Sequence, residues 1–153
     1  MATKVTNHIV LADDDRDHGV LFGKILHKVD PSKNLSVVRD GEELMHLLSK
    51  GLPEILFLDL NMPCKNGLEC LQEIRSTEAF DGLKVVVYSS SVKMTDIQKS
   101  YLHKADLYMV KPFNSEHLKN ALETVLKQDW WQTAPAKNQY FINNRFVPFT
   151  AQA

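Results

Sequence analysis

Cysteine is scarce in this sequence. The 153 residues hold two, Cys64 and Cys70, which form neither a CxxC pair nor, with the scattered histidines, a zinc-type ligand set. We expect two reduced thiols and a reducing, cytoplasmic compartment rather than a disulfide framework. Long hydrophobic runs are also missing: no stretch approaches the roughly 18 apolar residues that span a bilayer, and the opening MATKVTNH has no signal-peptide core. No membrane association is expected. Excess charge of one sign is absent too, with a formal net charge of −1, so nothing draws the chain to nucleic acid or acidic lipid in general. Internal repeats and low-complexity segments are lacking. What remains is the size and composition of one compact globular domain.

What is present is an alternation of short apolar runs with helical patterns. The runs are His8–Ala12, Leu35–Val38, Ile55–Leu58, Val85–Tyr88 and Leu107–Val110. Between them, Val20, Leu21, Phe22, Ile25, Leu26 and Val29 recur at helical spacing, as do Leu44, Met45, Leu47 and Leu48. Asp40 with Glu43 is a capping-box-like helix start, Gly67 introduces a third helix, Met94, Ile97, Tyr101 and Leu102 mark a fourth, and Asn114 caps a fifth. Regular βα alternation predicts right-handed crossovers and a doubly wound, five-stranded parallel sheet, the flavodoxin-like (βα)5 arrangement. The ILFL and VVVY runs contain no charge, as expected of strands buried on both faces.

Polar residues stand at the ends of these runs: Asp13 and Asp14 after the first, Asp59 after the third, Ser89 after the fourth and Lys111 after the fifth. The carboxyl ends of parallel strands lie along one edge, where loops leave a crevice for ligands. Three gathered carboxylates must raise one another's pKa or bind a cation, and oxygen donors favour a hard ion such as Mg²⁺. Carboxylates, a divalent ion, a lysine and a hydroxyl together suit phosphoryl transfer, and a carboxylate can itself be the acceptor. Asp59 is the natural acceptor, standing alone after the central run, while the adjacent Asp13 and Asp14 suit metal holding.

The segments IVLADDD, LFLDLNMPCKNGLECLQEIR, VVVYSSS and LYMVKPFN, with spacings of 30 residues from Asp59 to Ser89 and 22 from Ser89 to Lys111, resemble the receiver domains of two-component response regulators. The resemblance covers residues 8–128 and is nearest to single-domain chemotaxis regulators. It implies a phosphorelay component in which Asp59 is the phosphoacceptor. Asp14, Asp59 and the backbone carbonyl of Asn61 would surround Mg²⁺, with Asp13 holding a metal water. Lys111 would pair with a phosphoryl oxygen, Ser89 would be the switch hydroxyl and Tyr108 the switch aromatic. Pro112 would follow a cis peptide bond. Asp15 makes the acidic group a triplet, but the strand register favours Asp13 and Asp14. The implied donor is a histidine kinase or phosphotransfer protein, and the implied output a downstream protein partner or a further relay step. Such a protein is a phosphoacceptor that assists its own phosphorylation and dephosphorylation, not a turnover enzyme.

Two other readings compete. A phosphohydrolase of the haloacid dehalogenase type also uses an aspartyl nucleophile, but needs an acid/base two residues beyond it, where this chain has Asn61. A phosphate-independent interaction module would not need the acidic pocket.

We divide the chain into a receiver, residues 1–128, and a 25-residue extension, 129–153, too short for a winged-helix or helix-turn-helix module. No separate output domain and no direct DNA binding are expected. The extension carries six of the chain's 13 aromatics: Trp130, Trp131, Tyr140, Phe141, Phe146 and Phe149. QYFI and RFV around Asn143–Asn144 can form a short hairpin. Its aromatics would either pack back on the domain, extending the last helix, or build a homodimer or partner interface.

Overall fold

The computed structural model describes residues 7–112, 114–127 and 139–148. Strands β1 (His8–Ala12), β2 (Asn34–Val38), β3 (Ile55–Leu58), β4 (Lys84–Ser89) and β5 (Leu107–Val110) alternate with helices α1 (Arg16–Val29), α2 (Gly41–Lys50), α3 (Gly67–Ser76), α4 (Met94–Leu102) and α5 (Ser115–Lys127). Two further strands follow, β6 (Gln139–Ile142) and β7 (Arg145–Pro148). The sheet order is β2-β1-β3-β4-β5-β6-β7, parallel throughout except for the antiparallel β6–β7 pair. The expected flavodoxin-like sheet is therefore present, extended from five strands to seven.

Four of the five helices, all but α4, begin where a side chain satisfies free amides. Asp15 accepts from Asp17 N and His18 N, Asp40 from Glu43 N, and Asn114 from His117 N. Asn66 and Glu69 form a reciprocal capping box at α3. Strand pleating then divides the apolar residues between two layers. Val10, Ala12, Leu56, Leu58, Val85, Val87, Tyr108 and Val110 face α2, α3 and α4. Ile9, Leu11, Phe57, Val86, Tyr88, Leu107 and Met109 face Phe22, Ile25 and Leu26 of α1 and Leu118, Ala121, Leu122 and Val125 of α5. Phe22, Phe57 and Tyr88 meet edge-on in this second layer, with centroids 5.1 to 6.1 Å apart.

Register decides which residues reach the sheet edge. Ala12 lies opposite both Val38 and Leu58, and Ser89 opposite Val110. The ladder runs one residue further: Asp13 N donates to Val38 O, Asp59 N to Ala12 O and Lys111 N to Ser89 O, at 2.8 to 2.9 Å. The backbones of three candidate site residues are thus held by the sheet itself.

The hairpin forms as its sequence implies. Asn143 and Asn144 both adopt positive φ, 49° and 65°, the conformation that a two-residue turn matching strand twist demands and that Asn tolerates. Phe141 is buried in the second layer, with its ring edge-on to Phe146 at 5.1 Å. The described part of the extension thus packs back on its own domain, as strands rather than as more helix. Trp130, Trp131 and Phe149, and the 128/129 boundary, lie outside the described residues. Beyond the ladder, the Tyr101 hydroxyl of α4 donates to Gln139 O of β6 and accepts from Tyr108 N of β5 at 3.1 Å. Tyr101→Phe is expected to cost about 1 kcal/mol, the usual worth of such a bond, and to raise amide hydrogen exchange in β6 before the rest of the sheet.

Candidate phosphoacceptor site

Asp13, Asp59 and Ser89 account for three of the four buried polar or charged residues among those described. Asp14 is exposed at the rim. Carboxylate oxygens of Asp13, Asp14 and Asp59 lie within 4.8 Å of one another. Lys111 Nζ donates to Asp13 Oδ2 at 2.8 Å and to Asp59 Oδ2 at 3.0 Å, and lies 5.6 Å from the Tyr88 ring centroid. The remaining oxygens accept from backbone: Asp13 Oδ1 from Asp15 N at 3.0 Å and Asp59 Oδ1 from Asn61 N at 3.2 Å. These contacts fix both carboxylates in position.

The electrostatics are those of charges drawn together out of water. Burial raises the Asp59 pKa above the ordinary carboxylate value; the charge and hydrogen bond of Lys111 work against that rise without cancelling it. For Lys111, burial alone would disfavour the ammonium, but its bonds and charge interactions with Asp13 and Asp59 prevail and its pKa is raised. The Lys111 ammonium thus occupies the position of a cation between two carboxylates. Three converging oxygen ligands with no sulfur donor fit a hard divalent cation.

Asp15, the third acid of the triplet, is committed elsewhere: its carboxylate caps α1, and the backbone N–H bonds it accepts hold its pKa below the usual range. The choice of Asp13 and Asp14 as the pocket acids agrees with this division. Pro112 does not meet its expectation. No cis peptide bond occurs among the described residues, so Lys111–Pro112 is trans, the form an X–Pro bond favours intrinsically. Lys111 reaches both carboxylates in that form.

Ser89 and Tyr108 meet at the start of the β4–α4 loop. Ser89 Oγ accepts from Ser91 N at 3.1 Å, and the fully buried Tyr108 donates its hydroxyl to Ser91 O at 2.9 Å. Ser91 in turn donates its side chain to Asp96, whose backbone carbonyl accepts from Ser100 within α4. A chain of hydrogen bonds therefore runs from the pocket hydroxyl into α4. Asn61 is exposed beside the pocket, with its amide on Asp59.

Two elements of the site carry no signal of their role in the sequence. Gly67 opens α3 directly under the Asp59 backbone: a Cβ there would lie 2.2 Å from Asp59 O. Its position after the NMPCKN loop was legible, but the closeness of the two backbones was not. His18, one of several histidines scattered through the sequence, sits on the first turn of α1 with Nδ1 3.4 Å from Asp13 Oδ2.

The family model of the response regulator receiver domain matches residues 9–123. The chain belongs to that family. Among curated relatives, this receiver is 30% identical over 132 residues to the transcriptional regulatory protein CpxR of Escherichia coli, covering 86% of this chain and 54% of CpxR. It is 27% identical over 135 residues to a probable methanogenesis regulatory protein, FilR2, of Methanothrix harundinacea, covering 83% of this chain and 86% of FilR2. The receiver thus spans about half the length of CpxR. Among solved structures, the phosphorylated cyanobacterial phytochrome response regulator RcpA superposes with a TM-score of 0.74 at 29% identity, covering 86% of this chain and 100% of that one. The Mn²⁺-bound response regulator Rcp1 gives 0.71 at 28% identity, covering 84% and 99%. Family and pocket together favour the receiver over a haloacid-dehalogenase-type phosphohydrolase. Among the described residues no helix is long and apolar enough to cross a membrane.

Proposed function

We propose that this receiver takes a phosphoryl group on Asp59 from a phosphohistidine donor, a histidine kinase or a phosphotransfer protein, in the cytoplasm and with Mg²⁺ bound. The observation that carries this reading is Lys111 bridging Asp13 and Asp59 while Asp14 lies within reach of both. Asp14, Asp59 and the backbone of Asn61 would hold the ion, with Asp13 holding one of its waters. Bound there, Mg²⁺ neutralises phosphoryl oxygens and aligns them for in-line displacement.

The chain's own residues do the rest. An Asp59 carboxylate oxygen attacks phosphorus, the bond from phosphorus to the donor's histidine nitrogen breaks, and that nitrogen keeps the electron pair. Lys111 moves its donors from the Asp13 and Asp59 carboxylates, which it bridges, to the phosphoryl group. Ser89 rotates its hydroxyl toward another, which alters its contact with Ser91 N. Ser91 O is the acceptor of Tyr108, so the change reaches β5 and α4 and alters a surface that a downstream protein or relay partner reads.

Asn61, in place of a second acid, cannot exchange a proton at neutral pH, which fits a phosphoacceptor better than a turnover enzyme. RcpA, phosphorylated, and Rcp1, bound to Mn²⁺, support the same chemistry by similarity. The test is mass spectrometry of the intact protein after acetyl phosphate and MgCl2. One phosphoryl group is expected on the wild type, none on Asp59→Asn and none in EDTA. Undiminished labelling of Asp59→Asn would overturn the assignment.

A further inference from the structure

We infer that His18 is a positioning residue for Asp13, pinning the carboxylate that faces the metal when Lys111 turns to the phosphoryl group. This inference rests on the proposed metal-dependent phosphorylation and adds a residue to its machinery.

Three observations carry it. First, Asp13 Oδ2 is shared: Lys111 Nζ lies 2.8 Å from it and His18 Nδ1 3.4 Å. Second, His18 Nδ1 is closed off from water and is the one buried side-chain nitrogen or oxygen among the described residues without a hydrogen bond. The His18 side chain is 35% exposed and that of Asp13 not at all, so the ring spans the rim with Nδ1 turned inward. A buried polar atom without a partner is costly and rare, and the acceptor that can satisfy it lies a few tenths of an ångström beyond normal hydrogen-bond length. Third, the backbone around His18 belongs to the same assembly: His18 N donates to Asp15 Oδ1 at 3.2 Å, and Asp15 N donates to Asp13 Oδ1 at 3.0 Å. Helix start and strand end are tied together, and the imidazole is aimed by that tie.

With Lys111 in its present place, Oδ2 holds one strong donor and the imidazole stands just outside bonding range. Once Lys111 leaves for a phosphoryl oxygen, Oδ2 loses that donor. His18 in its Nδ1–H tautomer then closes the gap and donates to Oδ2, while Asp15 N continues to hold Oδ1. Asp13 keeps its orientation through the whole cycle, and the vacated acceptor is never left unpaired. Donors that orient a ligating group commonly change metal affinity 10- to 100-fold when removed.

The experiment is calorimetric titration of the full chain with MgCl2, in the presence of beryllofluoride so that Lys111 is engaged by a phosphoryl analogue. His18→Leu removes the donor at similar volume, and His18→Asn places an amide N–H near the position of Nδ1. His18→Leu is expected to bind Mg²⁺ about 10-fold more weakly, with His18→Asn within about threefold of wild type, while in EDTA His18→Leu unfolds at a temperature no lower than wild type because it removes the unpaired atom. If His18→Leu does not fold, His18→Gln, whose amide sits one bond too far out, takes its place. Equal affinity of wild type and His18→Leu, or an Asn variant as weak as the Leu variant, overturns the inference alone. Failure of the wild type to bind Mg²⁺ at all overturns the proposed function with it.

Discussion

Lys111→Met is expected to lower stability in EDTA at neutral pH by about 3 kcal/mol, the low end of the cost of breaking a buried ion pair by removing one partner. The Lys111 side chain is 9% exposed and lies between carboxylates that are themselves 0% and 7% exposed. Methionine fills the same volume but leaves Asp13 and Asp59 facing each other without a cation. Two treatments should each restore much of the loss. MgCl2 at about 100 times its dissociation constant stabilises by about 2.7 kcal/mol, because it supplies the missing positive charge. Acid does so by protonation. The folded-state pKa of Asp59 is already raised by burial, and without Lys111 it rises further, so the folded protein binds more protons than the unfolded chain between the ordinary carboxylate value and the raised one. Stability of the variant therefore increases as pH falls through that window and decreases as pH rises out of it. Denaturant unfolding at several pH values, with EDTA or with Mg²⁺, measures both. A variant as stable as wild type in EDTA at pH 7 would mean that Lys111 is not the internal counter-ion of the pocket.

Gly67→Ala should be about as damaging, and more so to function. The added Cβ would lie 2.2 Å from Asp59 O, 2.7 Å from Leu60 Cα and 2.9 Å from Asp59 C. All three atoms are backbone, so no side chain can turn aside. Gly67 N also donates to Leu60 O at 3.0 Å, and a shift of α3 away from β3 would break that bond. Overpacking of this kind costs about 3 kcal/mol at the upper end of its usual range, and the displaced atoms are those that position Asp59. We expect a lowered denaturation midpoint and loss of acetyl-phosphate labelling together. Gly82→Ala is the control: nothing lies within 4 Å of its Cβ, and neither property should change. The loop between Asp59 and Gly67 is held on its other side by Gly41, where a Cβ would meet Lys65 O at 2.2 Å and Cys70 Sγ at 2.7 Å.

These features differ in how far the sequence discloses them. Strands β1, β3 and β5 were readable to the residue, because a strand covered on both faces is a continuous apolar run whose first polar residue marks the sheet edge. Asp13, Asp59 and Lys111 follow from that one fact together with parallel register. The hairpin was readable as a local unit from Asn143–Asn144, but its partner was not. Four residues such as QYFI specify a strand without saying which edge receives it, and the Met109–Phe141 pairing is a tertiary outcome. His18 was invisible for a related reason: its approach to Asp13 depends on the angle at which α1 leaves β1, which the Asp15 cap sets and no periodicity encodes. Gly67 announced a helix start, yet its steric role depends on how closely the returning chain passes β3. The trans bond before Pro112 differs from the family expectation, and a local sequence pair leaves either isomer open.

The two added strands also change which backbone the sheet offers to other chains. Without them β5 would be an outer strand, with a row of free amides and carbonyls next to the buried Tyr108. With them the outer strand is β7, four residues long, bearing exposed Arg145 at one end and exposed Pro148 at the other. A short strand with a charge and a residue lacking N–H is a poor template for strand addition, and such ends are a common defence against aggregation. The strand that carries Tyr108 is thereby insulated from adventitious cross-strand pairing.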